Sequence, residues 1–232
     1  MRTLGLIGGT SWVSTVDYYR LINQQINEAL GGLSSAKIYM YSINYEEFKP
    51  PTDPGKWGPL TDTLSGIAAR LETAGADCIL LCANTPHMAA DSIQQRIGVP
   101  LIHIADATAD GIKSQGLRTV GLLGTKITME QGFFKDRLSG QGIATLIPGD
   151  DDRAFLHDTI FNELGRGIFL PATKERYLDI IRALVAKGAE GVIFGCTEIP
   201  LLINPGESPV AVFDTMLLHT RAAVAFALQD GR

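Results

Sequence analysis

The chain has 232 residues, 45% hydrophobic and 19% charged, with a formal net charge of −5. That length supports one large domain or two small ones around a substantial core, and that balance excludes a disordered chain. The acidic charge offers no basic patch for nucleic acid, no apolar run reaches the length of a membrane span, and no signal-peptide pattern follows Met1.

Taken in chain order, "TLGLIGG" (3–9) predicts a strand. A helix is then expected to begin at Ser14, with Asp17 as its capping pair and Tyr18, Leu21, Ile22, Ile26 and Ala29 on one face. "KIYMYSI" (37–43) predicts a second strand. "KPPTDPGKWGPL" (49–60) holds too much proline and glycine for a regular element and predicts a long loop of the lid or binding kind. "DCILLCA" (77–83) and "PLIHI" (100–104) predict two more strands, each leading towards a helix.

The second half repeats this order. "TVGLLGT" (119–125) echoes "TLGLIGGT" (3–10), "KGAEGVIFGCTE" (187–198) echoes "AGADCILLCANT" (74–85), and "PVAVFD" (209–214) echoes "PLIHIAD" (100–106). The expected fold is therefore α/β, with two pseudo-symmetric halves, each a four-stranded parallel sheet flanked by helices. Ligands bind such sheets at the carboxyl ends of the strands, which predicts an active site in a cleft between the halves. The expected division is residues 1–106 with 215–232, the C-terminal helix packing back, and residues 107–214.

Setting Gly75 on Gly188 and continuing without a gap places Cys82 on Gly195, Ala83 on Cys196, Asn84 on Thr197 and Thr85 on Glu198. Side chains alternate along a strand, so a one-residue displacement points Cys82 to the other face, and only one half presents a thiol. Cys196 lies in "GCTEIP", where Thr197 could donate to a thiolate and Glu198 could accept its proton or orient a partner. The competing reading is a small buried hydrophobe, and that is the expectation for Cys78 and Cys82.

Three cysteines form no disulfide framework, and reduced thiols in a cytoplasm are the expectation. Cys78, Cys82 and His87 match no compact zinc spacing, so no metal is expected. "GLIGGT" and "GLLGT" are strand-to-helix turns whose N–H groups could hold an anion, but neither has the G-x-G-x-x-G spacing of a dinucleotide site. His87 reads as a polar cap or a site histidine, and His103 as a satisfied core residue.

"GGTSWVSTVDYY", "NTPH", "GLLGTKITMEQ" and above all "GVIFGCTEIP" resemble the aspartate/glutamate racemase family along the whole chain, closest to its aspartate/glutamate-specific branch. The glutamate racemase branch typically has histidine after "GCT", where this chain has Glu198. The resemblance implies a cofactor-independent amino-acid racemase acting on aspartate and/or glutamate. In the family two cysteines flank the substrate α-carbon, one removing the α-proton and the other returning a proton to the opposite face. Cys196 matches the second cysteine, whereas the first stands at Ala83, and no arginine lies between residues 44 and 56. By correspondence Thr10, Asn84, Thr85, Thr125 and Thr197, joined by Glu198, would bind the substrate.

The resulting expectation is an isomerase with Cys196 as main acid/base and with no pyridoxal phosphate, nucleotide or metal. The alternatives are a one-thiol decarboxylase or isomerase, and a degenerate member that binds an amino acid without turning it over. The expected partner is a small-molecule amino acid, with neither nucleic acid nor membrane, and the sequence leaves a homodimer open.

Overall fold

The computed structural model describes residues 1–51 and 53–229. Its strands are β1 (Leu4–Gly8), β2 (Ile38–Ser42), β3 (Cys78–Leu81), β4 (Thr119–Gly124), β5 (Ala144–Leu146), β6 (Gly191–Gly195) and β7 (Ala211–Asp214). The helices are α1 (Trp12–Leu30), α2 (Gly58–Thr73), α3 (Ala90–Gln94), α4 (Ile104–Ser114), α5 (Lys126–Glu130), α6 (Gly132–Gly140), α7 (Asp150–Asn162), α8 (Pro171–Ala186), α9 (Ile199–Leu202) and α10 (Thr215–Leu228). No helix among the described residues is long and apolar enough to cross a membrane.

The chain divides into two compact units, Met1–Ile104 with the chain from His219 onward, and Ala105–Leu218. In unit 1 the sheet order is β2-β1-β3, all parallel, with Leu4 opposite both Ile38 and Cys78. Central β1 is buried along its whole length, as an apolar strand covered on both faces must be, while edge strand β2 exposes Tyr39, Met40 and Tyr41. Ile7, Ile79 and Leu81 pack with Leu64, Ile67 and Ala68 of α2 in the unit 1 core. Unit 2 has the parallel order β5-β4-β6-β7.

The two units thus share a parallel α/β construction, but the fourth strand expected at "PLIHI" contracts to a single bridge, Leu101 opposite Ile79. Ile79 donates its N–H to Pro100 O and Ile102 donates to Ile79 O, both at 2.9 Å. Pro100 has no N–H to extend the ladder and α4 begins at Ile104, so no room remains for more. In unit 2 the corresponding chain pairs over four residues, with Val212 opposite Val192.

Two local boundaries also differ from expectation. The N-cap of α1 is Ser11, which has extended backbone and accepts from Ser14 N–H, so the helix starts ahead of Ser14. Asp17 pairs with Arg20 at 3.0 Å instead of capping. Within 49–60, Pro54–Lys56 form a 3-10 turn, and Gly58, Pro59 and Leu60 already belong to α2, whose first turn tolerates proline because its N–H needs no partner there. Thr52 lies outside the described residues.

The internal repeat extends to individual hydrogen bonds. Asp77 accepts from Thr3 N–H, and its counterpart Glu190 accepts from Thr119 N–H. In turn Asp77 N–H donates to Thr3 O and Glu190 N–H to Thr119 O, each at 2.8 Å. Gly75 and Gly188, which precede these acidic residues, both adopt φ +101°, a turn conformation that a side chain would strain.

Candidate active site

Each unit gathers its candidate residues at the carboxyl ends of two paired strands. In unit 2, β4 and β6 end side by side with Gly124 opposite Gly195. A Cβ on Gly195 would lie 2.8 Å from Leu123 O, so only glycine lets the strand ends approach this closely. Thr125 follows β4 as the N-cap of α5, its hydroxyl oxygen accepting from Thr128 N–H. Cys196, Thr197 and Glu198 follow β6.

These last three form one hydrogen-bonded group. Cys196 Sγ donates to Glu198 Oε2 at 2.9 Å, and Thr197 Oγ1 donates to the same oxygen at 2.8 Å. Cys196 and Thr197 are each 9% exposed. Burial first, and then the Glu198 charge, push the Cys196 thiol well above its ordinary range, since both disfavour a second anion at this place. Cys196 therefore stands as a thiol that donates its hydrogen bond to the Glu198 carboxylate.

In unit 1, β1 and β3 end side by side with Ile7 opposite Leu81. Thr10 is partly exposed beyond β1; beyond β3, Asn84 is 5% exposed and Thr85 partly exposed. Gly9 turns the chain at φ +89°, with Ile43 O only 2.1 Å from where a Cβ would stand. Its N–H is not open to an anion: it donates to Thr15 Oγ1 at 2.8 Å, and Thr15 in turn donates to Ser11 O. In unit 2, Lys126 N–H likewise donates to His157 Nδ1 at 3.3 Å. Both anion-holding turns read from the glycines are thus already engaged by side chains at these N–H groups.

Cys82 is 2% exposed, and burial drives its thiol far above the ordinary range. Burial likewise pushes Cys78 up to about 12. Ala83, next along the chain, is partly exposed. Thus Thr10, Asn84 and Thr85 come together in one unit, and Thr125, Cys196, Thr197 and Glu198 in the other. Among the described residues no group of three or more His, Cys, Asp or Glu side chains could hold a metal ion.

Sequence reasoning did not find the setting of His87. It is a buried ring that contacts Ala83 and Asn84 through Nδ1 and receives Ile104 N–H at Nε2. The "NTPH" spacing shows a histidine near the site, but only the fold brings Ile104, seventeen residues on, to its other nitrogen.

A family model described as Asp/Glu/hydantoin racemase matches residues 7–223. A solved structure from Yersinia pestis, described as a candidate Asp/Glu racemase, is 48% identical with a TM-score of 0.93, covering 99% of this chain and 100% of that one. A structure described as an aspartate racemase homologue from Pyrococcus horikoshii OT3 is 37% identical with a TM-score of 0.86, covering 98% and 99%. The broad specificity amino-acid racemase RacX of Bacillus subtilis is 25% identical over 161 residues, 68% of each chain.

Proposed function

This chain belongs to the Asp/Glu/hydantoin racemase family, and from that premise we propose that it racemises aspartate and/or glutamate without a cofactor, with Cys196 as its principal acid/base. The observation that carries this reading is the Cys196–Glu198 pair. A buried thiol that shares its proton with an adjacent carboxylate can lose and regain that proton without involving solvent.

In the proton-removing step, the Cys196 S–H proton passes to Glu198 Oε2, and the thiolate electron pair takes the substrate Cα proton. The bond electrons left on Cα delocalise into the substrate α-carboxylate, whose developing charge needs hydrogen-bond donors. Thr125, Thr197, Thr10, Asn84 and Thr85 are the groups assigned to hold substrate. Returning the proton from Cys196 to the same face restores the starting enantiomer; a proton delivered by a water molecule to the other face inverts it, the hydroxide left behind taking up the extra proton of the Cys196–Glu198 pair.

A second reading is favoured by Ala83, which has no ionisable group where the repeat has Cys196. A one-thiol decarboxylase or isomerase would use Cys196 as proton donor to one face only. Incubation in D₂O with each enantiomer of an amino-acid panel, followed by NMR, separates the readings. Deuterium at Cα with inversion supports racemisation, while loss of a carboxyl group supports the second. Saturable binding with neither change would identify an amino-acid-binding protein and refute both.

A further inference from the structure

We propose that His87 is a positioning residue for the Ala83–Asn84 turn, its Nδ1–H holding the carbonyls of that turn from within a buried array that includes the start of α4, His103, His219 and Tyr18. The proposal rests on the reading of Asn84 and Thr85 as substrate-holding residues.

The geometry defines the ring's state. His87 is 1% exposed, with Nδ1 2.9 Å from Ala83 O and 3.3 Å from Asn84 O. Carbonyls only accept, so Nδ1 carries the hydrogen. Nε2 lies 3.2 Å from Ile104 N, which donates, so Nε2 carries none. Both contacts are satisfied together by the neutral Nδ1–H tautomer.

His219 is arranged in the reverse sense. Its Nε2 donates to Ile102 O at 2.8 Å, and its Nδ1 accepts from Tyr18 OH at 2.8 Å. The His87 ring meets His103 edge-on at 4.6 Å and His219 at 5.5 Å between centroids. The segment Ile102–Ile104 is thus held at one carbonyl, one ring and one N–H. The opposite side of the His87 ring holds the two residues where β3 gives way to the 3-10 turn that begins at Thr85. A ring fixed on three sides can set the direction of the Asn84 and Thr85 side chains, because those side chains leave the backbone that it grips.

The two functions of the ring can be separated by substitution. An asparagine amide nitrogen can replace Nδ1 as donor to Ala83 O but cannot reach Ile104. A glutamine amide oxygen can replace Nε2 as acceptor from Ile104 but leaves the Ala83 carbonyl without its donor. If His87 positions the turn, His87→Gln lowers kcat for α-proton exchange by about tenfold to a hundredfold, while His87→Asn retains most of it at a similar melting temperature.

Amide hydrogen exchange over residues 83–87 gives the same comparison without turnover. His87→Gln should lose protection there by about tenfold or more, and His87→Asn should keep it. If the unmodified protein acts on no amino acid, the racemase reading fails but the exchange comparison still decides the positioning role. Equal loss in both variants, or no loss in either, would overturn the proposal and leave His87 as core packing.

Discussion

A protonated thiol is a poor base, and both burial and the Glu198 charge hold Cys196 protonated. On the proposed function the working acid/base is the pair, which makes two readouts move in opposite directions. Glu198→Gln removes the charge that opposes a thiolate, so the Cys196 pKa should fall and its alkylation by iodoacetamide at pH 8 should speed up. The same change removes the proton acceptor, and α-proton exchange should fall by about a hundredfold to ten-thousandfold. Mass-spectrometric mapping of the alkylated peptide and NMR exchange in D₂O check the two; if both readouts fall together, the carboxylate is not what controls the thiol. Cys196→Ala should abolish exchange, whereas Cys82→Ala should leave most of it and cost about 1–2 kcal/mol of stability as a small cavity. Equal loss of turnover in both cysteine variants, with Cys82→Ala still folded, would contradict that assignment. Ala83 leads to a third expectation, since unit 1 has a methyl group where the repeat places the thiol of unit 2. Deuterium should enter one enantiomer with retention faster than inversion occurs, and Ala83→Cys should raise inversion with little change in one-sided exchange. Equal uptake from both enantiomers in the unmodified protein, with no gain in the variant, would show that another group serves that face.

At the scale of elements, the strand ends are where sequence and structure agree best, because a buried parallel strand needs a short continuous apolar run and leaves a plain signal. β1, β2, β3, β4 and β6 all fall inside the runs that predict them. The ungapped repeat is matched by the strands themselves: β3 and β6 begin at the equivalent residues Cys78 and Gly191. What was not legible depends on single hydrogen bonds. Ser11 outcompetes Ser14 as the α1 cap because its oxygen reaches Ser14 N–H, and both are serines, so composition cannot choose between them. The three-histidine array could not be read either, since His87, His103 and His219 meet only once the chain is folded. Gly9 offers a test of how tightly the first turn is built. Gly9→Ala would need a positive φ and would drive a Cβ against the Ile43 backbone, so a loss of about 2–4 kcal/mol in denaturant unfolding is expected. A loss below 1 kcal/mol would mean that the turn yields more easily than its geometry implies.

For the whole molecule, the distribution of buried histidines makes the two units unequal in acid. Unit 1 holds His87, with His103 and His219 against it and Tyr18 beyond, all buried. Burial lowers the pKa of His87 well below its ordinary value and that of His219 to about 4. A histidine depressed in the folded state stays neutral while the unfolded chain takes up a proton, so stability is full above the unfolded pKa of about 6.5 and declines as pH falls below it. The decline is about 1.4 kcal/mol per pH unit for each such residue, which for His219 alone reaches about 3 kcal/mol by pH 4. Unit 2 has only His157 shifted in this direction, and that ring is partly exposed. The depressed carboxyls of unit 2 act elsewhere on the pH scale: backbone N–H groups hold Glu190 low and Lys174 holds Glu207 low. Their contribution persists above about pH 4.5 and is lost only below it. Between pH 6.5 and 4.5, therefore, unit 1 should weaken first. Hydrogen exchange at pH 7 and pH 5, corrected for intrinsic rates, should show protection lost in residues 3–101 while strands β4, β6 and β7 keep theirs. Simultaneous loss in both units would place the acid sensitivity outside the histidine array, and retention of full protection in unit 1 at pH 5 would mean that the array accommodates its protons.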